Sequence, residues 1–351
     1  MPIKILRKRI DQLDAKIVEL LNQRARISQT IGREKSKDNR AIYSPDRETE
    51  VLKRIKALSR EPLTPEALEA IYREVMSCSL SLEKIKDVAT LGRDGAFTYA
   101  AAKKKFGSRV KYKCCKSIPE VFLEVERRKC EYGVVPIENS TEGGVTHTLD
   151  LFIDSDLKIC SQILDLISHN LLSKTTINKI QKIYSNPQVF GQCRYWLLEN
   201  LPHAKEIFVA STTEAASLAA KSKNAAAIAS SRAAEIYQLP IVEKNIQDIK
   251  HNTTRFFVIA HQDAPRTGHD KTSILFSIKD KVGALYNMIK PFYLNRINLT
   301  KIESRPSKKK AWDYYFFVDF EGHRLDKNVH KALSRLEDMC KYLKILGSYP
   351  V

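Results

Sequence analysis

Apolar residues recur at helical spacing from the start of the chain. Leu6, Ile10, Leu13, Ile17 and Leu20 step by four, three, four and three, and the rhythm runs on through Arg24 to Ile27 and Ile31. This is the stripe of one long amphipathic helix with a coiled-coil-like seam. At ~1.5 Å per residue its core spans on the order of 40 Å. Two short neighbouring helices cannot cover such a stripe, so the pattern predicts a second chain against it, a dimer through this segment. Ser44-Pro45-Asp46 has the chemistry of a helix start, with Val51, Leu52, Ile55 and Leu58 facing inward. Thr64-Pro65 starts a third helix carrying Leu68, Ile71, Tyr72, Val75, Met76 and Leu82. The first domain is thus all-helical, three helices over residues 1–87.

After Asp87 the period changes. Val88–Leu91 is a short apolar run that leads through a glycine turn into a helix at Tyr99–Phe106. Further strand-like runs are Tyr132–Ile137, Lys182–Ser185, Ala225–Ala229 and Phe256–Ala260, of which Lys182–Ser185 and Ala225–Ala229 are followed by helical segments. Strands alternating with helices predict an open α/β domain over 88–262, with its site at the carboxyl ends of strands. Gln262–Lys271 is polar, with proline and glycine, and reads as a linker. Residues 271–351 then give strand (Ser273–Ile278), helix (Gly283–Leu294), strand (Asn298–Ser304), strand (Tyr314–Phe320), helix (Lys327–Met339) and strand (Leu343–Leu346). That βαββαβ order is ferredoxin-like, an α+β domain.

Composition narrows the classes. Of 351 residues, 43% are hydrophobic, enough for globular cores and too many for a disordered chain. No apolar run is long enough for a transmembrane helix, and the charged N-terminus MPIKILRKRIDQLD does not read as a signal peptide. The expected location is therefore the cytoplasm, with no membrane partner. The cysteines Cys78, Cys114, Cys115, Cys130, Cys160, Cys193 and Cys340 are scattered without a C-x-x-C, and read as small buried hydrophobes in a reducing compartment. The net charge of +18 is spread over the chain, its densest cluster being Lys308-Lys309-Lys310. It reads as solvated surface and predicts no nucleic-acid partner. His147, His169 and His251 show no metal-ligand spacing and read as structural or surface residues.

Two cations interrupt the first stripe: Arg24 in the seam, and Lys35 four residues past Ile31. An inward cation needs an anionic partner. The pattern fits both a structural ion pair and an anion pocket inside a helical bundle. Ser79 and Glu83, four apart on the third helix, share a face. With the stretch LRKRIDQLDAKIVELLNQRARIS and the Pro-x-Arg-Glu of PDRE, these residues resemble the all-helical chorismate mutases, which form intertwined dimers. The resemblance implies that chorismate, a dicarboxylate, rearranges to prephenate here. Arg7 of a partner subunit and Arg24 would hold the carboxylates, and Lys35 and Glu83 would meet the ether oxygen as catalytic residues. Arg47, Glu48 and Ser79 would support the site. Glu83 stands where some relatives have glutamine, so it can donate only when protonated. Ser44 stands where some place an aspartate, and is read as a helix cap.

The segment YGVVPIENSTEGGVTHTLDLF, residues 132–152, runs from an apolar strand into small polar groups and two glycines. On physical grounds a capped turn explains it as well as a site does. It resembles the substrate loop of prephenate dehydratases, as do SNPQVFGQCR (Ser185–Arg194) and NTTRF (Asn252–Phe256). LGRDGAFT resembles the family's glycine turn more loosely. Arg93, Ala96 and Asn186 depart from the family's usual residues. The resemblance implies an α/β domain of two subdomains that converts prephenate to phenylpyruvate, CO2 and water with no metal or organic cofactor. Thr254 would be the proton donor and Arg255 would bind or orient a carboxylate. Asn139, Ser140, Ser185, Gln192, Thr98, Ser211, Thr212 and Phe256 would complete the pocket.

In the last domain, Gly283-Ala284-Leu285 opens a helix after a strand, which fits a tight turn or a ligand reaching backbone donors. With Glu303-Ser304-Arg305-Pro306 it resembles the phenylalanine-binding motifs of the ACT domain. The three parts together resemble bifunctional chorismate mutase–prephenate dehydratases. This implies an enzyme of phenylalanine biosynthesis, with phenylalanine as feedback effector and a homodimer or higher homo-oligomer as the assembly. Two other readings remain from the residues: an amino-acid sensor whose catalytic sites have decayed, and a basic nucleic-acid binder.

Overall fold

The computed structural model describes residues 2–38, 41–83, 87–278, 282–306 and 314–351. The lysine cluster at 308–310 lies outside the described residues. The chain forms two compact units: Met1–Asp87 with Lys105–Lys111, and Val88–Lys104 with Tyr112–Val351.

In the first unit, α1 (Ile3–Lys37), α2 (Pro45–Ala57) and α3 (Pro65–Leu82) are the three expected helices. Thr64 caps α3 as its sequence predicts, its side chain accepting from Ala67 N at 3.2 Å. Ser44 sits at the N-cap of α2 without a side-chain cap bond. Along α1 only Ser28 and Gly32 are buried. The predicted apolar stripe, from Leu6 to Ile31, stands 43–63% exposed. Gly32 is there for space: a Cβ would lie 2.9–3.0 Å from Glu83, so α1 could not approach the end of α3. The segment 105–111 joins this unit through Phe106 on Tyr43, with ring centroids 5.0 Å apart, and Arg109 N donating to Ser77 Oγ at 3.0 Å.

From Val88 the elements are β1 (Val88–Leu91), α4 (Phe97–Phe106), β2 (Tyr112–Cys115), α5 (Ile118–Glu126), β3 (Tyr132–Asn139), β4 (Gly143–Gly144), α6 (Thr146–Asp154) and β5 (Lys158–Leu166). Next come β6 (Asn170–Ser173), β7 (Lys182–Ser185), α7 (Pro187–Gln192), α8 (Arg194–Asn200), β8 (Lys205–Phe208), α9 (Thr212–Lys221), β9 (Ala225–Ala229), α10 (Ser231–Tyr237), β10 (Ile241–Glu243) and β11 (Thr253–Ala260). The chain ends with β12 (Asp270–Ser277), α11 (Ala284–Leu294), β13 (Leu299–Pro306), β14 (Tyr314–Glu321), α12 (Lys327–Met339) and β15 (Tyr342–Pro350).

The α/β part holds two sheets. One runs β2-β1-β3-β11-β5, with β4 on the edge of β3; the other runs β10-β6-β9-β7-β8. β11 returns to the first sheet antiparallel to both β3 and β5. This division agrees with the two subdomains implied by the family resemblance. The last sheet, β13-β14-β12-β15, has the ferredoxin-like order. One face of it packs under α11 and α12 through Phe276, Met288, Phe292 and Leu336. Its other face joins the core of the first α/β sheet through Leu275, Phe317 and Tyr349. The predicted linker is pinned rather than loose: Asp263 accepts from Arg324 Nε at 2.7 Å, and Ala264 N donates to Ser348 O at 3.1 Å. Gly347 lets β15 lie close against β5, since a side chain there would overlap the backbone of Ile159.

Four cysteines, Cys115, Cys130, Cys160 and Cys193, are buried as expected. Cys78 and Cys114 are exposed, which corrects the reading of all seven as interior residues; all are free thiols. Among the described residues no helix is long and apolar enough to cross a membrane.

Candidate functional sites

A cavity of about 480 Å³ opens in the helical unit. Arg24 and Lys35 of α1, Arg47 and Glu48 of α2, Ser79 of α3 and Glu83 just beyond it all line this space. Helical spacing puts the two α1 cations three turns apart on one face. Arg24 donates to Ser79 Oγ. Lys35 Nζ donates to Ile42 O at 2.5 Å and to Ser44 Oγ at 3.3 Å, and stands 3.8 Å from Glu83 Oε2. Ser44 is therefore a lining residue of the cavity and not simply a cap. Glu48 accepts from Tyr43 Oη at 2.5 Å and pairs with Lys105 at 2.8 Å. Lys105 and Tyr43 carry no periodic signal that marks them as site residues. Arg47 pairs with the exposed Glu50 at 2.6 Å. Arg7 is exposed on α1 and does not line the cavity; it lies about 25 Å before Arg24 along the axis.

Burial raises the Glu83 carboxyl above the usual carboxylate range, and Lys35 and Arg24 pull it back without cancelling the effect. Its Oε2 is buried with no hydrogen-bond partner. A raised pKa keeps the protonated, donor form present to higher pH. Under the mutase reading that the sequence resemblance implies, kcat/KM is expected to fall as pH rises through that pKa, and Glu83→Gln is expected to flatten the profile. A flat wild-type profile on a pH series would remove Glu83 as donor.

In the second unit the central pair is Asn139 on β3 and Thr254 on β11, which face each other in the sheet register. Asn139 Nδ2 donates to Thr254 Oγ1 at 2.8 Å and to Asn252 Oδ1 at 2.7 Å. Asn252 Nδ2 donates to Gln192 Oε1 at 2.9 Å, and that oxygen also meets His169 Nε2 at 2.7 Å. The structure thus connects Asn139, Gln192 and Thr254 and adds Asn252 and His169. His169 is buried, not a surface residue. Ser140 is a stitch between strands, accepting from Thr253 N at 2.9 Å and donating to His251 O at 3.3 Å. The buried Ser185 donates to Ile228 O at 3.0 Å. Ser211 caps α9, accepting from Glu214 N at 3.1 Å. Asn186 caps α7 through Val189 N at 2.9 Å. Thr98 and Thr212 are buried near the starts of α4 and α9. Phe256 is a core side chain, 1% exposed.

Arg255 departs from its expected role. Successive strand residues face opposite sides of a sheet, so Arg255 points away from the Thr254 hydroxyl. Its guanidinium donates to Gln162 Oε1 at 2.9 Å, Asp319 Oδ2 at 2.5 Å and Tyr349 Oη at 2.7 Å, with Glu138 at 3.6 Å. Ser273 gives its proton to Asp319 Oδ1 at 2.6 Å, so Tyr349 donates to Ser273 at 2.7 Å and the ring of bonds closes. A guanidinium so committed does not hold a substrate carboxylate. It ties β11 to the last sheet.

The C-terminal motifs also divide. Gly283 takes a left-handed conformation, φ 75°, at the start of α11, with Ala284 buried and Leu285 exposed. On β13, Glu303 and Arg305 face the α/β sheet: Glu303 pairs with Lys301 at 3.1 Å beside Gly144, and Arg305 pairs with Asp150 at 3.4 Å. Ser304 and Pro306 point the other way and are exposed. Among the described residues no cluster of ligating side chains could hold a metal.

A cation-lined cavity in a helical bundle, a hydroxyl–amide site in a two-sheet α/β part and a ferredoxin-like last sheet define a multidomain enzyme. Residues 6–84 match the family model of chorismate mutase type II, residues 88–264 that of prephenate dehydratase and residues 272–338 that of the ACT domain. The chain is 49% identical to the bifunctional chorismate mutase/prephenate dehydratase of Aquifex aeolicus, over 99% of this chain and 98% of that protein. It is 43% identical to the protein so named from Pseudomonas aeruginosa, over 99% and 97%. Among solved structures it is similar to the prephenate dehydratase of Arthrobacter aurescens in complex with L-Phe, with TM-score 0.70 and 30% identity over 76% of this chain and 90% of that one. The chain belongs to the bifunctional chorismate mutase/prephenate dehydratase family.

Proposed function

We propose that this chain rearranges chorismate to prephenate in its helical part, and converts prephenate to phenylpyruvate in its α/β part under control by phenylalanine. The observation that carries the reading is the pairing of a cation-lined cavity (Arg24, Lys35, Glu83) with a separate Thr254–Asn139 site in one family member. The mutase reaction is a concerted rearrangement, the ether C–O bond breaking as a C–C bond forms, and needs no covalent bond to the enzyme and no proton transfer. The cavity binds a compact dicarboxylate and places Lys35 and Glu83 at the ether oxygen, where charge develops. In the dehydratase step the bond from the ring to the carboxylate breaks and its electrons enter the ring. The ring hydroxyl leaves with a proton from Thr254, which recovers one from solvent. Asn139 orients the threonine, and Gln192 offers its free amide to the substrate.

We assign the mutase to residues 1–87, the dehydratase to 88–262 and the effector domain to 271–351. The exposed apolar stripe of α1 supports a homodimer in which Arg7 reaches the partner's cavity. Gly283–Leu285, Ser304 and Pro306 are the proposed contacts for phenylalanine. Free thiols throughout fit a cytoplasmic protein.

The test is a coupled assay on the purified full chain, with chorismate supplied and phenylpyruvate read by absorbance. Product that appears, and is suppressed by added phenylalanine, is the expected result. Prephenate that accumulates without phenylpyruvate would remove the dehydratase assignment, and a rate indifferent to millimolar phenylalanine would remove the effector assignment.

A further inference from the structure

The hydrogen bonds that lead to Thr254 run in one direction, set by groups that can only donate. Thr141 N and Glu142 N donate to Asn139 Oδ1 at 3.0 and 3.2 Å. That oxygen is therefore the acceptor end of its amide, and Asn139 Nδ2 must donate onward, to Thr254 Oγ1 and Asn252 Oδ1. Asn252 has then used its oxygen, so its Nδ2 donates to Gln192 Oε1. The same Gln192 oxygen faces His169 Nε2 at 2.7 Å. An oxygen cannot donate, so Nε2 carries the hydrogen and Nδ1 is bare. Two free groups result. Gln192 Nε2 takes no partner among the described residues, and the Thr254 hydroxyl, which accepts from Asn139, keeps its own proton to give.

Nothing in the sequence motifs marks His169. It lies just before β6, on the second α/β sheet, whereas Asn139 and Thr254 lie on the first. It is 1% exposed, its Nδ1 is buried without a partner, and its ring packs T-shaped with that of Phe97, centroids 5.4 Å apart. Its backbone is held on both sides: N donates to Gln247 Oε1 at 3.0 Å and O accepts from Ile246 N at 2.8 Å. The ring is thus fixed in position by groups outside the site. Burial also holds its pKa below the usual imidazole value, against the Gln192 bond, so the ring is neutral near pH 7.

We propose that His169, as the Nε2–H tautomer, is a positioning residue of the dehydratase site that locks the Gln192 amide, so that Gln192 Nε2 faces the substrate. Without that donor the Gln192 oxygen keeps only Asn252 Nδ2 to hold it, and the amide can turn over at lower cost. The flip would present an oxygen to a substrate carboxylate and would set Gln192 Nε2 against Asn252 Nδ2, donor against donor. The inference rests on the dehydratase reading of the same site.

The experiment uses the full chain and measures prephenate turnover and mutase turnover on the same preparations. His169→Leu is expected to lower dehydratase kcat/KM about 100-fold, the cost of a misplaced contact group, with mutase kcat/KM unchanged. His169→Gln places an amide N–H the same number of bonds from Cβ as Nε2, and is expected to recover to within about 10-fold of wild type. In a double-mutant cycle, His169→Leu is expected to add little to Gln192→Leu, because both remove one contact. Full dehydratase activity in His169→Leu, no recovery in His169→Gln, or additive losses in the cycle would each overturn the proposal. If His169→Leu fails to fold, shown by loss of the wild-type circular dichroism and thermal transition of the full chain, His169→Gln decides: activity within about 10-fold of wild type supports the proposal and no recovery overturns it. A wild-type chain without prephenate turnover would instead bring down the dehydratase reading itself.

Discussion

Thr254→Val is expected to lower the dehydratase rate by roughly 100-fold or more, within the ~10²–10⁴ that a positioned proton donor contributes, while the mutase rate stays at wild type. Valine keeps the branched shape of threonine and removes only the hydroxyl. Hydroxide is a poor leaving group, so the step that expels it depends on a proton delivered at the right place. The Thr254 oxygen is held by Asn139 at 2.8 Å, and the residue is 9% exposed. Folding should tolerate the change: Asn139 Nδ2 keeps Asn252 as a second acceptor, and a single lost hydrogen bond costs about 1 kcal/mol. Thr254→Ser, which restores the hydroxyl, is the control and should retain most of the rate. Phenylpyruvate formation from added prephenate reads the effect directly. Equal rates for the Val and Ser variants would mean that Thr254 is not the donor.

The second large effect is expected at the other site. Lys35→Met should reduce mutase kcat/KM by about 10²–10³, the range seen when one preorganised donor to a developing negative charge is removed. Dehydratase turnover of prephenate should not change. Lys35 is held by Ile42 O and Ser44 Oγ with its ammonium toward Glu83, so it is aimed before substrate arrives. Methionine preserves the aliphatic stem and removes the charge. The same change takes away one of the two cations that oppose the burial of Glu83, so the Glu83 pKa should climb further. A mutase rate that survives Lys35→Met would move the charge-stabilising role to Arg24 and Ser79.

Much of this site chemistry was readable along the chain, because it sits in local patterns. Arg24, Lys35, Ser79 and Glu83 could be placed on common helical faces from spacing alone, and they line one cavity. Arg255 shows where such reading fails. The apolar run of this strand begins only at Phe256, so the sequence pattern gives no sign that Thr254 and Arg255 already belong to the strand. β11 begins at Thr253, so the pleat drives the two apart. His169 was invisible for a different reason: its partner Gln192 belongs to a helix that follows β7, and Asn252 lies just before β11 of the other sheet.

Local periodicity and cap chemistry therefore established the three helices of the first part, the cap at Thr64, and the βαββαβ order of the last part. The same order of residues carried the family motifs. These signals are short-range, and physics acts on them within a turn or a strand. Only folding in three dimensions settled that the α/β part splits into two sheets, that β11 lies between β3 and β5, and that Arg255 closes a buried ring with Asp319, Ser273 and Tyr349. It also placed Lys105 beside Glu48 and drew His169 into the chain that ends at Thr254. Each of those contacts joins residues far apart in sequence. Strand partner and register depend on which surfaces bury best together, and no local pattern encodes that choice.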